Sequence, residues 1–311
     1  MCEVNQTQVT QIRLLGFCGL AKFKTLLFIV VLLTYLIILG GNLLIIILVT
    51  TVDHLKIPMF FFLKHLATAD VLQTTSVVPM MLDIIFIEEG RLSFVGCITQ
   101  MYAFGIFGFV QCILIAVMSY DRYLAVCKPL HYASLMNPRV CLLLVLGSWF
   151  LGLIVAALPA ILMHQLNFCG PNIIDQFFCD LAPLLELSCS DTSIVKTEAL
   201  IASLHVVLLP FLFIISSYIR ILITILQIPS AQGRQKTFST CSAHLLVVCT
   251  YFLTIITIYS DPSQTYSSNV NKVRSVLYIV LTPLLNPLIY ALKNQEIKDT
   301  LKKKLFKALH I

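Results

Sequence analysis

The chain has 311 residues, 59% of them hydrophobic and 12% charged, with a mean hydropathy of +0.93 and a formal net charge of +6. An average soluble domain carries about 25% charged residues. The composition therefore excludes an ordinary soluble protein and describes a polytopic membrane chain, with room for about six to eight apolar crossings and no separate soluble domain. The basic residues lie mostly in loops and tail, where membrane topology accounts for them, so nucleic acid is not expected as a partner.

Residues 1–24 are polar and carry Asn5-Gln6-Thr7, an N-glycosylation acceptor usable only on the lumenal side. Residues 25–49 form an apolar run that is too long for a signal-peptide core and lacks a small-residue cleavage site, so they read as a retained first helix. Pro58 stands at a first helical position and opens a second helix running to about Ile87. Inside it lies Asp70, a carboxylate near mid-membrane that is expected to face the bundle core. Residues 88–96 read as a short loop, after which Cys97 opens a third helix ending near Ala125.

A fourth helix spans residues 140–163, where Gly147, Ser148 and Gly152 beside Trp149 would permit close helix approach. The longest loop, 164–196, leads to a fifth helix over 197–226 that Pro210 should kink. A polar connector, 228–236, precedes a sixth helix at 238–259, and a loop at 261–272 precedes a seventh at 273–292. That last run holds Pro283 and Asn286-Pro287, which free backbone carbonyls that neighbours must satisfy. In the tail, Ile297, Leu301, Leu305 and Leu309 recur every fourth residue with lysines on the other faces, a pattern suited to an anionic membrane surface.

Placing the tail in the cytoplasm puts 14 of the 21 Lys and Arg on that side. The bias supports this orientation. With seven crossings the N-terminus is then outside, where Asn5 could be glycosylated. Of 11 cysteines, Cys97, Cys169, Cys179 and Cys189 fall on the outer side, where disulfides persist. Four cysteines allow about three pairings. Their wide spacing lacks the close ligand pairs of a structural zinc site, and no metal or cofactor is expected. Cys112, Cys141 and Cys249 read as small core residues; Cys2 and Cys18 are outside and unassigned.

The stretch 117–127, VMSYDRYLAVC, sets Asp121, Arg122 and Tyr123 directly after an apolar run. Charges at such a depth pair with each other and mark a working site, or else simply end a helix at the interface. His-Glu-x-x-His, Gly-x-Ser-x-Gly and phosphate-binding glycine loops are absent, so the chain is not read as an enzyme. A transporter is the second reading, since Asp70 and proline-broken helices occur there too, although paired repeats are not apparent.

The motifs that follow decide between them. Gly41-Asn42, PMFFFLKHLATAD at 58–70, VMSYDRYLAVC, Ser217-Tyr218, KTFSTCSAHL at 236–245 and PLLNPLIYALKN at 283–294 stand in order along nearly the whole chain. The chain thereby resembles the vertebrate odorant receptors among the rhodopsin-like G-protein-coupled receptors. That resemblance implies one all-α, seven-transmembrane domain over 1–311: an extracellular segment 1–24, a bundle 25–293 and a cytoplasmic tail 294–311 with a short amphipathic helix.

It also implies a function and the residues that carry it. An odorant would activate a stimulatory, olfactory-type heterotrimeric G protein and raise cyclic AMP at the plasma membrane. Arg122 would be held by Asp121 at rest and released toward Tyr218 and Tyr290 on activation, with Tyr123, Asn286 and Pro287 in the same machinery and Asn42, Asp70 and Gln111 in the polar core. A guanidinium suits such an exchange of partners better than an ammonium. The resemblance pairs Cys97 with Cys179 and Cys169 with Cys189. Gln111 stands where the family usually has glutamate, so a sodium ion beside Asp70 is not expected. Tyr251-Phe252-Leu253 replaces the family's Phe-Tyr-Gly, and ligand preference cannot be carried over from relatives. By analogy with rhodopsin-like receptors, the ligand would lie in the outer half among Phe104, Gly105, Gly108, Phe109, Cys112, Ser203, Val206, Phe252, Ile255, Ile256 and Tyr259. None is charged, so a small, neutral, mostly apolar ligand is expected.

Overall fold

The structure is a computed structural model, and it describes residues 10–16, 23–169, 171–259 and 268–309. Asn5, Cys2 and Cys18 fall outside those residues, as does the side chain of Tyr259. Eight principal helices follow one another: α1 Lys24–Thr51, α2 Pro58–Ile87, α3 Phe94–Cys127, α4 Pro138–Met163, α5 Ser193–Leu226, α6 Ala231–Tyr259, α7 Ser268–Lys293 and α8 Gln295–Leu309. Among the described residues, six of the first seven are long and apolar enough to cross a membrane, α7 through its part Lys272–Lys293; α6 makes the seventh when its halves, Ala231–Ser239 and Cys241–Thr257, 43° apart, are taken as one span.

Local chemistry sets several of these boundaries. Ser93 caps α3 by accepting from the Gly96 amide at 3.0 Å, and Asn137 caps α4 by accepting from Val140 at 3.0 Å, with Pro138 at the first helical position. The third helix thus starts three residues before Cys97, inside what reads from sequence as loop. The polar connector also proves largely helical, because Ser230 accepts from the Gly233 amide at 3.1 Å and starts α6 at Ala231. Instead of a simple kink, the fifth helix widens into a π turn, Leu204–Leu208, just before Pro210. Proline lacks the amide that would bond four residues back and its ring crowds that carbonyl, and the wider turn absorbs both.

A small three-stranded sheet covers the outer end. β1, Gln11–Leu15, pairs antiparallel with β2, Glu89–Ser93, in register Gln11↔Ser93 to Leu15↔Glu89, and parallel with β3, Ile173–Ile174. Two disulfides tie down the long loop: Cys97–Cys179, Cα atoms 5.4 Å apart, and Cys169–Cys189, 5.9 Å apart. These are the pairs the resemblance implies.

Two buried clusters fill the bundle. The inner one gathers Phe60, Phe62, Leu114, Ile115, Ile221, Val247 and Tyr290, and the outer one gathers Ile12, Leu14, Met81, Phe177 and Phe178 around Cys97 and Cys179. Around the outside, leucines and isoleucines such as Leu33, Leu143, Phe150, Leu212 and Leu253 stand exposed. An apolar belt of that extent on the outer helices is the surface a bilayer covers, while α3, with only Val95 exposed among its large apolar residues, stands inside it. Close approach is specific: a Cβ on Gly152 would sit 2.7 Å from Val110 Cγ2, and one on Gly41 would sit 3.0 Å from Pro287 Cγ. Gly147, by contrast, has nothing within 4 Å and faces outward.

Candidate functional site

At the C-terminal end of α3 the buried Asp121 holds Arg122 through one oxygen, with Nη2 at 2.6 Å and Nε at 3.1 Å from Oδ2. Its other oxygen accepts from the Tyr132 hydroxyl at 2.7 Å. Tyr132 lies on the short helix Tyr132–Leu135 beyond α3. Both carboxylate oxygens are therefore held by side-chain donors. Tyr123 takes no part in it and stacks on Tyr120, ring centroids 6.4 Å apart.

Tyr218 on α5 does not reach Arg122 in this arrangement. Its hydroxyl lies 2.6 Å from His244 Nδ1, and His244 Nε2 lies 3.2 Å from the Ile115 carbonyl. A carbonyl can only accept, so Nε2 carries the proton and Nδ1 accepts from Tyr218. Tyr290 on α7 is fully buried, and its hydroxyl has no hydrogen-bond partner among the described residues. One tyrosine is thus engaged elsewhere and the other is free to take a new partner.

Nearer the bundle centre, three helices converge on Asp70. Asn286 Nδ2 donates to Oδ2 at 2.8 Å, and Gln111 Nε2 donates to Oδ1 at 2.9 Å and to Gln73 Oε1 at 2.8 Å. Gln111 brings a donor to the place where a second carboxylate would bring charge and oxygen ligands. Both Asp70 oxygens are thus taken by amide donors in this arrangement. On α1, Asn42 Nδ2 donates to the Pro283 carbonyl at 2.9 Å, one of the groups the α7 prolines free. Asn42 Oδ1, Ser119 Oγ, Thr282 Oγ1 and Asn286 Oδ1 are buried without partners among the described residues. Such groups are costly to leave unsatisfied, so the centre is built for water or for rearrangement.

In the outer half, Phe104 packs on Phe178 of the long loop at 5.1 Å and on Tyr278 of α7 at 5.5 Å. A Cβ on Gly108 would meet the Tyr278 hydroxyl at 3.5 Å and Gln73 Nε2 at 3.4 Å, and the Gly108 carbonyl accepts from Tyr251 at 2.8 Å. Cys112, Val206, Phe252 and Ile255 are buried and Phe109 is half-buried, with Phe252 4.7 Å from Phe211. Three expected members depart. Gly105 faces α4, where a Cβ would meet Ala156 Cβ at 3.5 Å, and so serves helix packing. Ile256 is 54% exposed on the outside of α6. Ser203 is exposed and returns its hydroxyl to the Ala199 carbonyl at 2.8 Å, as the π turn that follows rotates the α5 faces.

The long loop is anchored by polar contacts as well as by sulfur. Gln100 Oε1 accepts from the Cys179 amide at 3.0 Å. Lys272 at the top of α7, 1% exposed, donates to the Gly16 carbonyl at 2.7 Å and to Asp175 of the loop. Burial pushes the Asp180 carboxyl up from its ordinary range, against the Leu181 amide it caps at 2.8 Å. Arg13 grips Glu89 with two bonds, 3.0 and 2.7 Å, and Arg91 adds a third at 2.9 Å; together they hold the Glu89 carboxyl down at about 2.

Sequence reasoning missed His244, Tyr132, Tyr278, Gln73 and Lys272. A signal existed for His244, an ionisable residue inside an apolar helix. For Tyr132 and Tyr278 none did, since an aromatic near an interface reads as an anchor.

Comparison with known proteins follows the same lines. The family model described as "Olfactory receptor" matches residues 31–308. Olfactory receptor 10A7 of Homo sapiens is 45% identical over 303 residues, covering 97% of this chain and 96% of the relative. Olfactory receptor 5G29 of Mus musculus is 45% identical over 307 residues, covering 99% and 98%. Among solved structures, squid rhodopsin superposes with a TM-score of 0.75 at 18% identity, covering 93% of this chain and 82% of that one, which shows a shared seven-helix fold.

Proposed function

The chain belongs to the olfactory receptor family of multi-pass G-protein-coupled receptors, which are not enzymes, and from that premise we propose that it is a plasma-membrane receptor which binds a small, neutral, mostly apolar odorant and activates a stimulatory, olfactory-type G protein, raising cyclic AMP. The N-terminus is outside and the tail inside, in keeping with the basic-residue bias. The observation that carries the reading is the arrangement at the inner ends of α3, α5 and α6: Arg122 clasped by Asp121 while Tyr218 is engaged by His244. Outward movement of α6 takes His244 from Tyr218 and leaves two tyrosine hydroxyls, Tyr218 and Tyr290, to receive Arg122. Asn286 and Pro287 let α7 follow, through the Asp70 network.

The odorant site is drawn from Phe104, Gly108, Phe109, Cys112, Val206, Phe252 and Ile255, with Tyr278 added to Tyr259 as a polar handle. Apolar walls with few polar groups suit a ligand bound mainly through buried area, at about 25 cal/mol per Å². A screen of volatile compounds on cells expressing the chain with the olfactory-type G protein tests this. Ligand-evoked cyclic AMP without transport current is the expected result, and transport current without cyclic AMP contradicts it.

A further inference from the structure

A second recess lies at the opposite end of the molecule from the odorant site. It is a groove of about 610 Å³ between the cytoplasmic ends of α1, α2 and α4, walled by Ile57, Phe61, Met136 and Cys141, with Lys56 and Lys64 also lining it. Lys64 sets its ammonium 5.2 Å from the Phe61 ring centroid and makes no ion pair among the described residues. Lys56 pairs only with the exposed Asp53, at 2.6 Å. A third cation, Lys304 of α8, reaches the same edge by donating to Thr51 Oγ1 at 3.1 Å.

We propose that this groove is a binding site for an anionic phospholipid of the cytoplasmic leaflet, with the phosphate-bearing headgroup at Lys56 and Lys64 above the wall of Ile57, Phe61 and Met136, and an acyl chain running from there toward mid-membrane past Cys141 and the exposed Leu142. Three observations choose this occupant. Within one turn of the lining residues Thr50 and Cys141 along the same helices, Ile47 of α1 and Leu142 and Leu143 of α4 stand exposed on the surface that bilayer covers, so what reaches the groove is lipid. Its mouth lies at the basic side of the molecule, where the facing leaflet is negatively charged. An unpaired ammonium held over an apolar wall lacks a counter-ion, and a phosphate or carboxylate headgroup supplies one.

The test uses the full chain in nanodiscs of phosphatidylcholine and phosphatidylserine in equal parts, with the retained lipid counted by native mass spectrometry. Wild type should hold phosphatidylserine in preference. Lys64→Gln should lower that retention about fivefold, the weight of one lysine near an anionic surface. Ile57→Trp, which fills the groove without touching a charge, should lower it as well. Thermal unfolding of both variants in pure phosphatidylcholine should match wild type, which separates site loss from misfolding. Equal retention of the two lipids, or preferential retention of cholesterol when it is added, overturns the proposal. So does an Ile57→Trp variant that retains phosphatidylserine like wild type, since the lysines would then be gathering lipid by surface charge alone.

Discussion

Tyr132 and Asp121 are joined by a 2.7 Å hydrogen bond that fixes the carboxylate from the side opposite Arg122. In the proposed switch, the short helix after α3 therefore helps to keep Arg122 on Asp121. Hydrogen bonds to charged groups contribute about 1.5–3 kcal/mol. Tyr132→Phe removes one from the resting state alone, so basal cyclic AMP should rise at equal surface expression, and a basal level equal to wild type would show that the bond does not hold the resting state.

Of the described helical glycines that face another helix, Gly152 has the least room: a Cβ there would sit 2.7 Å from Val110 Cγ2 and 3.1 Å from the Ile106 carbonyl. A side chain there must push α3 and α4 apart. Gly152→Val should destabilise the bundle by about 1–3 kcal/mol, in the manner of an overpacked core, whereas Gly147→Val should be neutral because nothing lies within 4 Å of that position. Thermal unfolding of the purified variants in detergent compares them directly.

The outer sheet should respond to acid through Glu89. Its carboxyl is held at about 2, below its ordinary 4.5, chiefly by the bonds from Arg13 and then Arg91. A depressed folded pKa stabilises above the unfolded value and loses that contribution as pH falls toward the folded one. Amide protection across Gln11–Leu15 should therefore be constant above about pH 5.5 and decline between there and pH 2. Glu89→Gln should abolish the decline, as hydrogen exchange followed by mass spectrometry can measure.

How much of this was legible in the sequence follows from how far each signal depends on tertiary partners. The membrane runs, Asp70 and Asp121-Arg122 announce themselves, because an apolar segment of bilayer length and a charge within it each have few explanations. β1 does not: five residues, QIRLL, become a strand only through pairing with Glu89–Ser93 and Ile173–Ile174 from distant parts of the chain. Ala231 to Lys236 reads as a polar connector because its helix projects past the apolar run. The outward turn of Ser203 and Ile256 was hidden for another reason: the π turn shifts helix phase along α5, and both faces of a lipid-exposed helix are apolar, so periodicity cannot tell interior from exterior.

The ligand site predicts its own perturbation. Gly108→Leu would place a side chain toward the Tyr278 hydroxyl and Gln73, filling the proposed cavity, and should shift dose–response curves to higher agonist concentration. Ile256→Ala, on the outside of α6, should leave them unchanged. A response altered by Ile256→Ala and untouched by Gly108→Leu would move the ligand to the lipid-facing side of α6.

The central claim is that Arg122, freed from Asp121, transmits ligand binding to a G protein. The direct measurement is nucleotide exchange on purified stimulatory G protein, driven by an agonist from the volatile screen, for wild type and Arg122→Ala in the same bilayers. Arg122→Ala should bind the agonist yet give no exchange above the ligand-free level. Full agonist-driven exchange by Arg122→Ala would contradict the account.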